Sequence, residues 1–227
     1  YGDTAETIYP VSRSGRFMEV KPSPETPLPE VSPRWRQACA HIDNAAELRE
    51  ILIGAAGEFG DFSTAGLAAV IDGQDFTGDA VAELEASLRA AEGSGSLTPA
   101  AAVGTAFRGV FQDCLDWHKA HGPMPGFREL SRTLERVAFG PPPVTARRLL
   151  ELIHSGVVNT DYLGTPEQID SWREKGGVDL LIDATVAPQA IPSPFHDVFG
   201  VVEIGRMNEI SLPGHDSLNR SVHDDIP

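Results

Sequence analysis

Two cysteines in 227 residues, Cys39 and Cys114, are too few and too far apart in sequence for a disulfide framework. They predict reduced thiols in a cytosol. No apolar run approaches the length needed to span a bilayer. No signal-peptide pattern opens the sequence, so a cytoplasmic protein is expected. Positive charge is scarce: 18 Lys and Arg stand against 33 Asp and Glu, a formal net charge of −15. That balance excludes a general nucleic-acid binder, because phosphate contacts need clustered cations. It also disfavours adsorption to an anionic membrane. The three tryptophans, Trp35, Trp117 and Trp172, are too scattered for a stacking platform and predict core or rim anchors.

Two further patterns are missing. No G-x-S-x-G elbow follows a strand, so a serine-hydrolase site has no support beyond composition. No G-x-G-x-x-G turn follows a strand either. The nearest look-alikes are Gly54-Ala55-Ala56-Gly57, inside a helical pattern, and Gly93-Ser94-Gly95-Ser96, between two helices.

What is there begins with Val178 to Pro188. The uniformly apolar run Val178 to Ile182 predicts a strand inside a parallel sheet covered on both faces. It closes on Asp183-Ala184-Thr185, and ligands of open α/β sheets lie just beyond such strand ends. Ala184 and Thr185 are small enough for close approach of a cofactor. A second strand is expected at Ile8 to Val11, followed by a turn carrying Ser12, Arg13, Ser14, Gly15 and Arg16. Pro10 removes one ladder donor there and favours an edge or a bulge. Two guanidinium groups and two hydroxyls suit a phosphate, through forked charge-assisted hydrogen bonds. In a dinucleotide domain an arginine at this place accommodates the 2′-phosphate of NADP. The competing reading is a solvated basic loop.

Between the two lies a long helical pattern. Lys21 to Pro33, with five prolines, predicts a stiff extended connector. Leu48, Ile51, Leu52, Ala55 and Phe59 share one helix face, and Val81, Leu84, Leu88 and Ala91 repeat the spacing after Gly78-Asp79. Thr98-Pro99 reads as an N-cap and first-turn proline. The helix it starts carries Val103, Phe107, Val110, Phe111, Cys114 and Leu115 and ends near Gly122-Pro123. Phe127, Leu130, Leu134 and Val137 mark another helix, stopped by Gly140 and three prolines. Leu149, Leu150 and Ile153 mark the last, ending at Ser155-Gly156. Strand-like runs return only at Val178 and again at Val198 to Ile204.

Candidate metal ligands are weaker. His118 and His121 lie three apart near a helix end, without an acidic or cysteine partner at a recognisable spacing. His215-Asp216 and His223-Asp224-Asp225 read as polar loops. No metal site is expected.

The turn "VSRSGRF", the stretch "HGPMPGFRELSRTLERVAFGPPP", the strand "DLLIDATVAP" and the closing "GRMNEISLPGHDSLNRSVHDDIP" together resemble bacterial FAD/NAD(P)-binding proteins, a family distantly similar to flavin-dependent N-hydroxylating monooxygenases. The resemblance runs from about Ile8 to Pro227 with its segments in order. It implies an NADPH donor, an FAD acceptor, and oxygen or another acceptor for the reduced flavin. It places Ser12, Arg13, Ser14 and Arg16 at the NADP phosphate end, and Ala184 and Thr185 at the family's Ala-Thr positions. Val186 stands where the family has glycine.

The expected architecture is therefore mixed α/β: a partial Rossmann-like nucleotide-binding sheet with a large inserted helical module. Residues 1–22 would form a strand and basic turn, 23–33 the connector, 34–155 the helical insertion, and 156–227 a return to the α/β domain. The chain reads as a fragment of a flavin-dependent NAD(P)H oxidoreductase or monooxygenase, handling a small-molecule substrate and binding no dinucleotide by itself. The alternative is a non-enzymatic helical protein-interaction module.

Overall fold

The computed structural model describes residues 7–12 and 14–165, together with residues 168 and 171. Seven helices occur among them: α1 (Pro33–Cys39), α2 (Ala45–Gly57), α3 (Thr64–Ile71), α4 (Ala80–Ala91), α5 (Pro99–His121), α6 (Phe127–Ala138) and α7 (Pro143–His154). Their starts are chemically marked. Asn44, Ser63, Asp79 and Thr98 each accept hydrogen bonds from the backbone N–H groups of the following first turn. Prolines open α1, α5 and α7, where a missing N–H costs nothing. None of these helices is long and apolar enough to cross a membrane.

The 23-residue α5 is the axis. Helices α1, α2, α3 and α6 pack around it, burying Leu48, Leu52, Leu67, Val103, Phe107, Val110 and Leu134 in one core. The apolar stripe of α6 (Phe127, Leu130, Leu134, Val137) faces this core, while Arg128, Glu129 and Arg132 face solvent. A second, smaller core joins α4 to α7 through Leu84, Leu88, Ala91, Ala146 and Leu150. Val20, from the chain ahead of α1, completes it.

That leading segment is a strap laid across the helices. Glu19 N–H donates to the Arg136 carbonyl (2.9 Å), Lys21 N–H to Pro141 (2.8 Å) and Ser23 N–H to Ala91 (3.1 Å). The proline-rich stretch continues it and delivers Pro33 as the first residue of α1. Helix α3 also escaped the periodicity argument, being eight residues long and apolar almost throughout.

The α/β expectation is corrected here. The described residues contain no strand and hence no sheet for a Rossmann-like fold. Ile8 forms an isolated parallel bridge with Val158, from Ile8 N–H to the Val157 carbonyl (2.8 Å) and from Asn159 N–H to the Ile8 carbonyl (2.9 Å). The ladder stops there for two reasons. Pro10 lacks the donor for the next rung, and the partner chain turns away over residues 161–164. Ile8 is 57% exposed, so nothing covers it as a sheet neighbour would. The strands expected at Val178 to Ile182 and at Val198 to Ile204 lie outside the described residues, as do Ala184, Thr185, Trp172, His215 and His223.

Gly104 sets the distance between α5 and α6. A Cβ there would lie 2.0 Å from the Val137 carbonyl oxygen. Replacing it with alanine must push two helices apart, and Gly104→Ala should cost about 2 kcal/mol. Gly57, where a Cβ would make an ordinary 3.8 Å contact with Leu67, is the control. Gly57→Ala should leave stability unchanged or raise it by up to ~1 kcal/mol. Urea unfolding of both variants checks the contrast, and equal effects would remove the steric argument.

Candidate functional site

The turn that follows the bridge is ordered by its own hydroxyls. The Ser12 hydroxyl accepts from Gly15 N–H (3.2 Å), the Ser14 hydroxyl accepts from Arg16 N–H (3.4 Å), and the two oxygens lie 3.5 Å apart. Gly15 has φ +65° and is buried against the backbone of Leu163 and Gly164. This contact needs glycine, since a Cβ would sit 3.3 Å from Gly164 Cα. Tyr9 meets Tyr162 edge-on at 5.7 Å. Ile8, Tyr9 and Gly15 thus lie against Val158, Tyr162 and Gly164. Arg13 lies outside the described residues.

Arg16 does not face solvent. Its side chain is 8% exposed. It grips Asp75, on the α3–α4 connection, through both terminal nitrogens (Nη2 to Oδ2, 2.9 Å), and Nε donates to Glu83 of α4 at 3.0 Å. Its guanidinium also lies 5.2 Å from the Phe76 ring centroid. Glu83 is further occupied by Thr77, whose N–H and hydroxyl both donate to it. Arg136 of α6 adds a 3.4 Å contact to Asp75.

Three residues after Arg16, Glu19 enters the same cluster. The Thr98 hydroxyl lies 3.2 Å from its carboxylate, and Ser87 accepts from Val20 N–H at 2.6 Å. Arg108 of α5 lies nearby, donating to the Ala138 carbonyl (3.0 Å) and the Thr105 hydroxyl (2.8 Å).

The electrostatics follow from burial set against pairing. Burial depresses the Arg16 guanidinium, but Asp75 and Glu83 outweigh it and raise its pKa. Burial would raise Asp75; the Arg16 hydrogen bond and the charges of Arg136 and Arg16 overcome this and hold it below the usual carboxylate range. For Glu19 burial wins over Ser87, Thr98 and the nearby arginines, and its pKa is raised. Burial takes Arg108 down to about 10, against the attraction of Glu19. Burial and the Arg16 charge lower Arg136. Arg16, Arg136, Asp75 and Glu83 therefore form one ion-paired network, while Glu19 and Arg108 make their hydrogen bonds with neutral groups.

His118 and His121 are also engaged. His118 is buried, its Nδ1–H donating to the Cys114 carbonyl at 3.0 Å, and burial lowers its pKa. His121 donates to the Trp117 carbonyl (3.0 Å) and stacks on the Trp117 ring at 4.8 Å. No group of three or more metal-ligating side chains occurs among the described residues. An open groove of about 570 Å³ runs between α1 and α2 beside His41, Asn44, Glu47 and Glu50. Its polar groups close the N-terminus of α2: Asn44 Oδ1 accepts from Ala46 and Glu47 N–H, and Glu47 accepts from Asp43 N–H.

Side-chain caps occupy the N-termini of α2 to α5, whereas α1, α6 and α7 have none. Sequence reasoning placed Ser12, Ser14 and Arg16 in one turn but missed Glu19, Asp75, Glu83, Arg108 and Arg136. No spacing links them. Compared with protein-family models, curated proteins and solved structures, the chain matches none.

Asp75 and Glu19 respond oppositely to acid. The depressed Asp75 pKa means that its ion pairs stabilise the fold above the unfolded value of ~3.9, and that this contribution is lost as pH falls through the folded value. The raised Glu19 pKa makes its ionised form a burden, relieved as pH falls. Asp75→Asn should therefore lower stability at neutral pH by on the order of 3 kcal/mol, leaving two arginines underpaired. Its deficit relative to the parent should shrink below pH ~4. Urea midpoints at neutral and acid pH test this, and a deficit that persists in acid would mean that Asp75 acts by shape and not by charge.

Proposed function

We propose that the helical body is a non-catalytic cap carried by a flavin-dependent NAD(P)H oxidoreductase or monooxygenase. The observation that supports this is the closeness of its ends. The chain enters beside Ile8 and leaves beside Val158, joined by backbone hydrogen bonds. Adjacent ends let a helical module sit on another domain without disturbing it. The chemistry comes from the resemblance of the turn at 12–16 and of the segment at 178–188 to FAD/NAD(P)-binding proteins. The dinucleotide sites themselves are assigned to those two segments, outside the helical body. With Arg16 held by Asp75 and Glu83, Arg13 is the cation of that turn left for the NADP 2′-phosphate, flanked by the hydroxyls of Ser12 and Ser14. Ala184 and Thr185 keep their proposed place near the nicotinamide nucleotide.

A second reading, a helical protein-interaction module without enzymatic activity, is favoured by the internal pairing of Arg16. The two separate on one preparation. The product of the whole reading frame should show a flavin visible spectrum that bleaches with NADPH, whereas the helical body should be colourless. A colourless whole product would favour the interaction module. In the coloured protein, Arg13→Ala should weaken NADPH roughly tenfold to a hundredfold, the worth of one charge-assisted hydrogen bond, and leave NADH unchanged. Equal loss for both nucleotides would remove Arg13 from phosphate recognition.

A further inference from the structure

Cys39 ends α1 and Cys114 lies in the last third of α5, and both are buried in the main core. Three contacts fix the register between these stretches. A Cβ on Gly109 would overlap the Val31 side chain, so the chains touch there. Arg36 Nε donates to Asp113 at 3.1 Å. Trp117 Nε1 donates to the Ile42 carbonyl at 2.8 Å. The segment 31–42 thus runs along α5 from 109 to 117, and Cys39 and Cys114 fall between the second and third pins. Both side chains are turned into the same core at that level, 0% and 1% exposed, which brings the two thiols into each other's neighbourhood.

We propose that Cys39 and Cys114 are a disulfide-forming pair, closed by exchange with a small-molecule disulfide, and that the bond staples α1 to α5. In the closing sequence one cysteine thiolate attacks the small disulfide, forming a mixed disulfide and releasing one small thiol. The second thiolate attacks the protein sulfur of that intermediate, forms the Cys39–Cys114 bond and expels the second small thiol. The protein loses two protons and two electrons, and the small disulfide is reduced to two thiols. The neighbouring Cys39 thiol, and then burial, push the Cys114 thiol up, so the folded pair is a poor nucleophile. Closure therefore occurs during folding or when α1 lifts. Helix α1 is suited to lifting: it has seven residues and no side-chain cap.

The full chain is refolded in oxidised and reduced glutathione and compared with the reduced protein. Its intact mass should fall by two hydrogens, and non-reducing peptide mapping should join the Cys39 and Cys114 peptides. The loop closed spans roughly 75 residues, so Tm should rise by on the order of 10 °C and return on reduction. Cys39→Ser should show no redox-dependent Tm shift. Two free thiols, glutathione adducts, disulfide-linked dimers, or an intramolecular bond that leaves Tm unchanged or lower would each overturn the proposal.

Discussion

The pairing of Arg16 with Asp75 and Glu83 is the constraint on which the arrangement turns. One guanidinium from the strap reaches the α3–α4 connection and α4 at once, and Arg136 brings in α6. These charges are mostly shielded from water, where a lone partner would be strongly unfavourable. Each must therefore stay with the others, and that requirement fixes the path of the strap. Once Arg16 is placed, Glu19 falls beside Thr98 and Val20 enters the small core between α4 and α7. Gly140 then allows the Glu19 carbonyl to pass where a side chain would block it. The strap thereby connects the smaller core to the larger one built on α5.

The same pairing limits what the helical body can do chemically. A cation that is neutralised and shielded cannot also gather a phosphate, and histidines whose Nδ1–H groups are tied to helix carbonyls are structural parts of α5. What the body offers is shape: a closed helical cluster, an open groove beside α2, and two chain ends held together at Ile8 and Val158.

Much of the helical body was legible in the sequence. Local physics governs those features: Thr98-Pro99 starts a helix by hydroxyl capping and a preset φ, and Phe127, Leu130, Leu134 and Val137 recur at the helical period. Helix α3 was less visible because an apolar eight-residue helix has no polar face to set a period. The expected Ile8 to Val11 strand failed because residue preference does not supply a partner. Val158 offers one bridge before the chain turns off. The candidate site was nearly illegible, since Arg16 lies 59 residues from Asp75 and 67 from Glu83.

By itself, then, the sequence determined the acidic surface, the positions of most helices and the residues that terminate them, because capping, proline geometry and helical period act within a few residues. Tertiary structure alone decided whether Arg16 would face a ligand or a pair of carboxylates, and whether two cysteines far apart in the chain would be neighbours. Those outcomes depend on how distant helices pack around α5, where burial makes an unpaired charge untenable and close packing brings one thiol near another.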